Sequence, residues 1–164
     1  ARAEKLGNAP DEQFVLTSRD ALYVYRHTKP SAPAPGALKK MTFLVDKSDR
    51  SAAKAAGTGL ARGQAIAAGV ELARECANRP SNHATPTFLG EEARALGKTH
   101  GLKVEVLDQK AVEKLGMRTF LSVAQGSDEP LRFIVLRYDG APKTQPPVVL
   151  VGKGITFARP RPSK

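Results

Sequence analysis

Tryptophan is missing from this sequence, cysteine occurs once, and aromatic residues make up only 5% of its 164 positions. A single cysteine, Cys76, excludes an internal disulfide and any metal site built on cysteine pairs. It stands between Ala73 and Ala77 in a helical pattern, where a buried thiol is expected, and a reducing cytoplasm suits it. With so few rings, any core must be made of Ala, Val, Leu and Ile. No apolar run approaches the ~20 residues of a membrane helix, and no charged-then-apolar leader opens the chain. A soluble, cytoplasmic protein with no membrane partner is the expectation. The first residue is Ala1 rather than Met, which is read as a piece of a longer chain.

Acidic residues are also in short supply, 16 against 26 basic ones, and the net charge is +10. The excess is concentrated at the ends. Residues 1–62 carry 11 basic and 6 acidic side chains, residues 63–154 carry 12 and 10, and the last ten carry three basic and no acidic ones. A basic surface can recruit nucleic acid by releasing counterions. Here no basic cluster is interleaved with aromatics for base stacking, so solvated Lys and Arg are the stronger reading.

Catalytic signatures are lacking as well. The run from Gly57 to Arg62 has Arg where a dinucleotide fingerprint needs its third glycine, and it lies in a helical pattern rather than after a strand. The Val151-Gly152-Lys153-Gly154 stretch has Pro147 where a phosphate loop needs its first glycine, and no Ser or Thr follows Lys153. There is no Gly-x-Ser-x-Gly and no His-Glu-x-x-His. His27, His83 and His100 stand singly, and Asp128-Glu129 before Pro130 reads as a solvated turn.

The elements that are present form an α/β pattern. Residues 1–13 offer little. Ala21–Tyr25 is expected to be a strand, Lys29–Gly36 a loop because of its three prolines, and Met41–Val45 a second strand. Residues 48–78 are expected to be helical, with Ile66, Val70, Ala73 and Ala77 along one face and a break near Gly57–Gly59. Pro80 ends that helix. Thr85 and Pro86 open the next, which closes at Gly101. Leu102–Leu107 alternates as a strand with one wet face. Asp108 caps a short helix through Leu115, stopped by Gly116. Leu131–Tyr138 and Val148–Val151, apolar on both faces, are expected to be interior strands of a helix-covered sheet.

Four segments, taken in order, carry a resemblance that no single motif carries. Residues 63–82 end in Asn78-Arg79-Pro80-Ser81-Asn82; residues 114–127 and 149–157 follow, and residues 37–45 precede. Together they resemble the leucyl aminopeptidase (cytosol aminopeptidase) family over about residues 20–157. The resemblance implies the carboxyl-terminal end of a small α/β amino-terminal domain (1–62), a linking helix (63–79), and the first strands and helices of a mixed-sheet α/β catalytic domain (80–157). A basic, Pro-rich tail (158–164) follows.

By resemblance the activity is removal of amino-terminal residues from peptides by two divalent metal ions, Mn or Zn, in a homo-hexamer. Lys153 corresponds to a metal-ligating lysine of the family. Where the family continues with the Asp that bridges the two metals, this sequence has Ala158. The remaining carboxylate ligands, a second lysine and the catalytic arginine have no counterpart. The resemblance therefore implies a chain that is inactive by itself, its tail the product of an altered reading frame or a damaged gene copy. A basic DNA-binding protein and an inert structural remnant stay open as alternatives.

Overall fold

The structure is a computed structural model and describes residues 10–34, 36, 38, 40–44, 50–154 and 156. It forms two compact units, residues 1–78 and 79–164. Residues 45–49 and the tail 158–164, together with Phe157, lie outside the described residues.

The first unit is built on two helices, α1 (Pro10–Leu22) and α2 (Arg50–Asn78). α1 begins with proline at its first position, followed by Asp11 and Glu12, anions placed at the positive end of the helix dipole. The expected strand at Ala21–Tyr25 does not form. Ala21 and Leu22 complete α1, and Tyr23–Tyr25 carry no ladder. The strand-forming preference of the Tyr-Val-Tyr run is overridden by tertiary contacts. Tyr23 donates its hydroxyl to Glu75 Oε1 at 3.0 Å, accepts from Asn78 Nδ2 at 3.3 Å, and lies under the Arg74 guanidinium. Met41–Leu44 is likewise not a strand among the described residues; Phe43 instead meets Phe14 of α1, ring centroids 5.5 Å apart.

Partners rise together along the two helices. Glu12 pairs with Arg62, Arg19 with Glu71, Asp20 with Arg74, and Tyr23 with Glu75. The helices therefore run parallel, and the chain between them must return the length of the pair.

α2 is continuous through Gly57–Gly59, where a break was expected. Its buried positions are Ala56, Gly59, Gly63 and Ala67, a stripe of small residues, while Ile66 and Val70, expected on the packed face, are 37% and 46% exposed. A side chain at Gly59 would run into the Asp11 carboxylate. A Cβ at Gly63 would lie 2.9 Å from the Glu12 carbonyl oxygen. The glycines that weaken the helix locally are those that let α1 approach it, and the close approach outweighs a cost of about 1 kcal/mol each.

From Thr85 to Gly116 the second unit follows its sequence signals closely. Thr85 Oγ1 accepts from Phe88 N at 3.1 Å and Pro86 opens α3 (Pro86–His100), which ends on Gly101 at φ 67°. β1 (Lys103–Leu107) alternates exposed and half-buried residues along most of its length. Asp108 Oδ1 accepts from Ala111 N at 2.9 Å, capping α4 (Gln109–Lys114), and Gly116 adopts φ 69° after it. A helix the sequence did not announce, α5 (Arg118–Ala124), comes next; no side chain caps its amino end. β2 (Phe133–Arg137) pairs antiparallel with β1, Lys103 opposite Arg137 and Leu107 opposite Phe133. The architecture is mixed helix and strand with a two-stranded sheet among the described residues.

Val148–Val151 departs from expectation. It forms no strand, and its four side chains are 73–92% exposed. Nor does β2 have the interior setting expected of it: its last two residues are exposed. Apolar character on both faces records a preference for burial, but a strand also needs a neighbour for its ladder. None is present for Val148–Val151 among the described residues.

Candidate functional site

Three places gather chemistry-bearing side chains. The first is the end of α2. Asn78 closes the helix and donates to Tyr23, and Arg79 stacks over the Phe88 ring at 4.5 Å. The Pro80 carbonyl accepts from the backbone N–H groups of His83 and Ala84 at 2.8 and 2.9 Å. These two bonds close a turn over residues 80–84. Burial, and after it the Glu75 carboxylate, push the Tyr23 phenol above its ordinary value of 10.0, against the hydrogen bond from Asn78. Both folded and unfolded chains keep the phenol neutral below that value. Above it the unfolded chain ionises first, so stability should fall as pH rises through and beyond about 10. In alkaline denaturation curves, Tyr23→Phe should remove part of that fall; an unchanged alkaline limb would show that Tyr23 is uncoupled from folding.

The second place lies between α1 and α2. Glu12 is 4% exposed and holds Arg62 Nε at 3.1 Å, while the arginine side chain itself is 66% exposed. Asp11, 6% exposed, has an Oδ2 without a hydrogen-bond partner. It sits in the first turn of α1, where the helix dipole favours a negative charge. A cleft of about 460 Å³ opens beside this pair, along the amino-terminal half of α2. Sequence reading missed it because the contacts join residues some fifty positions apart. The Arg62 that disqualified a dinucleotide fingerprint proves to be the partner of a buried carboxylate.

The third is Lys153, the one site residue named from sequence. It lies in an exposed, irregular stretch just beyond Val148–Val151. Among the described residues no group of three or more His, Cys, Asp and Glu is placed to hold a metal ion. A lysine ligates only as the neutral amine, so it needs burial or neighbouring dications. An exposed Lys153 with no carboxylate cluster about it does not by itself fit a two-metal site.

Comparison with known proteins identifies the class. The profile of the Cytosol aminopeptidase family, catalytic domain, matches residues 71–158, more than half of the sequence, from the last two turns of α2 past Lys153. A probable cytosol aminopeptidase of Methylibium petroleiphilum is 69% identical over 135 residues, covering 82% of this chain and 27% of that protein. The cytosol aminopeptidase of Pseudomonas aeruginosa is 54% identical over 145 residues, covering 88% and 29%. Among solved structures, the bottromycin maturation enzyme BotP in complex with Mn superposes with a TM-score of 0.63 at 26% identity, over 79% of this chain and 25% of that one. The chain belongs to the cytosol aminopeptidase family. It spans between a quarter and a third of the length of the relatives it matches.

Proposed function

We propose that these residues are part of a metal-dependent leucyl aminopeptidase that removes amino-terminal residues from peptides, and that the 164-residue chain alone does not turn over. The match to the family's catalytic domain across residues 71–158 carries the reading. In the whole protein Lys153 would donate its neutral amine to one of two divalent ions, Mn or Zn. Such ions lower the pKa of a bound water and polarise the scissile carbonyl. This chain's own part in that chemistry would be to supply the Lys153 amine just beyond Val148–Val151. Residues 1–62 would close an amino-terminal domain, 63–79 link it, and 80–157 begin the catalytic domain, in a cytoplasmic hexamer.

The test is hydrolysis of a leucine anilide by the purified chain with added Mn or Zn, next to the same chain carrying Lys153→Ala. No turnover above the host background is expected from either. Metal-dependent turnover that vanishes with Lys153→Ala would overturn the inactivity while supporting the role of the lysine.

A further inference from the structure

We infer that the cleft between α1 and the amino-terminal half of α2 is an oxyanion site that takes a phosphate group. The inference is independent of the aminopeptidase reading. Ser51, Lys54, Thr58 and Arg62 fall at intervals of three, four and four along α2, which places them on one helical face, and all four line the cleft. The face supplies two cations, Lys54 and Arg62, and the Ser51 hydroxyl. Small residues between them, Ala55 and Gly59, leave the floor open.

The guanidinium is already positioned. Its Nε is held by Glu12, a carboxylate almost wholly buried against α2, and it has no other ion-pair partner among the described residues. Its terminal nitrogens, on a side chain 66% exposed, remain available for the paired hydrogen bonds that a planar fork makes to an oxyanion. Arginine held by a buried acid forms such bonds with less loss of side-chain freedom than a loose one. Lys54 lies two turns nearer the start of α2, and its ammonium has no ion-pair partner among the described residues. Thr58 Oγ1 donates to the Lys54 carbonyl at 3.1 Å, so its proton is engaged within α2 and the donors offered to an oxyanion are those of Lys54, Arg62 and Ser51. The amino end of α2, at Arg50, adds the positive end of a 29-residue helix.

Two anions among the described residues stand against this. Glu12, which also lines the cleft, offsets the charge of the arginine it positions, so Lys54 supplies the net positive charge and Arg62 supplies directed donors. Asp11, also buried, has its Oδ2 shut off from solvent at the first turn of α1. A phosphate monoester and free orthophosphate share the chemistry that the cleft recognises. A monoester would use the remaining volume, since about 460 Å³ is several times what a bare phosphate fills.

The experiment is calorimetric titration of the full chain with orthophosphate and, separately, with glycerol phosphate, at constant ionic strength set with sodium chloride. Binding at about 1 mM or tighter is expected for at least one of them. Tighter binding of the ester would name a small phosphorylated molecule as the occupant, and preference for orthophosphate the free ion. Lys54→Ala, a change on the exposed face that leaves the Glu12–Arg62 pair intact, should weaken binding about tenfold. Lys110→Ala in α4 should leave it unchanged.

Glu12→Gln separates positioning from bulk charge. It makes the chain more positive, so binding driven by net charge alone would tighten, whereas loss of a positioned guanidinium weakens it. Circular dichroism of each variant shows whether α1 and α2 persist, and should Glu12→Gln unfold them, the Lys54→Ala comparison decides. No heat from either phosphate beyond the chloride control, equal effects of Lys54→Ala and Lys110→Ala, or tighter binding by folded Glu12→Gln would each overturn the assignment.

Discussion

Gly63→Leu is expected to separate α1 from α2. Even the first carbon of a side chain at this position would sit 2.9 Å from the Glu12 carbonyl oxygen and 2.9 Å from Val15 Cβ. The first of these is backbone, which cannot swing aside as a side chain could. α1 would have to lift off the stripe of Ala56, Gly59 and Ala67, uncovering Val15 and releasing Glu12 from Arg62. Overpacking costs about 1–3 kcal/mol and more when backbone blocks the way, while exchanging Gly for Leu in a helix returns about 1 kcal/mol. The net should be a loss of about 2 kcal/mol or more, a substantial share of a small domain's ~5–15 kcal/mol.

Gly69→Ala on the same helix provides the opposite control. Nothing lies within 4 Å of a Cβ there, so the propensity gain should appear undiminished, near 1 kcal/mol of added stability. Urea denaturation followed by far-ultraviolet circular dichroism reads both. Should Gly63→Leu and Gly69→Ala shift the midpoint in the same direction, the close helix contact at Gly63 is wrong.

That contrast also explains which parts of the fold were legible. Thr85, Gly101 and Asp108 act on backbone groups three or four residues away, so their caps could be read in one dimension. The glycines of α2 act on a helix some fifty residues distant, and locally they look only like weaknesses. The same holds for Tyr23. Its β-forming neighbours predict a strand, yet the bond it donates to Glu75 and the one it accepts from Asn78 place it at the end of a helix pair. Of the candidate site, the proposed ligand Lys153 was named through family resemblance and by no spacing rule. The cleft with Glu12 and Arg62 was not legible, because a buried carboxylate gains its meaning from a partner that the sequence order does not identify.

Val148–Val151 marks a different limit. Its composition is that of a buried strand, and its exposure shows that composition alone does not form one. Each backbone donor and acceptor in a strand needs a neighbour, and burial needs a cover. The stretch leads directly to Lys153, so the setting of the proposed ligand depends on contacts not found among the described residues.

Val112→Asp should have a larger effect than Gly63→Leu. Val112 on α4 is 0% exposed, more enclosed than Ala84, Ala93 and Leu131, the other buried apolar residues described in its unit. α4 packs on both β1 and α5. Its own register is fixed by the Asp108 cap, and Met117 N donates to the Val112 carbonyl at 3.3 Å, so the side chain cannot turn to solvent without undoing that turn. An unpaired carboxylate placed there costs several kcal/mol, relieved in part by taking up a proton. The second unit should therefore unfold at neutral pH, losing the slow amide exchange of the β1–β2 ladder while α1 and α2 keep theirs. Val112→Ala, which removes volume without adding charge, should cost about 2 kcal/mol and leave the ladder protected. Because the carboxyl is tolerated better when protonated, Val112→Asp should regain part of the ladder's protection as pH falls towards 4. Unchanged exchange in β1 and β2 at pH 7 would show that Val112 does not hold α4 to the sheet.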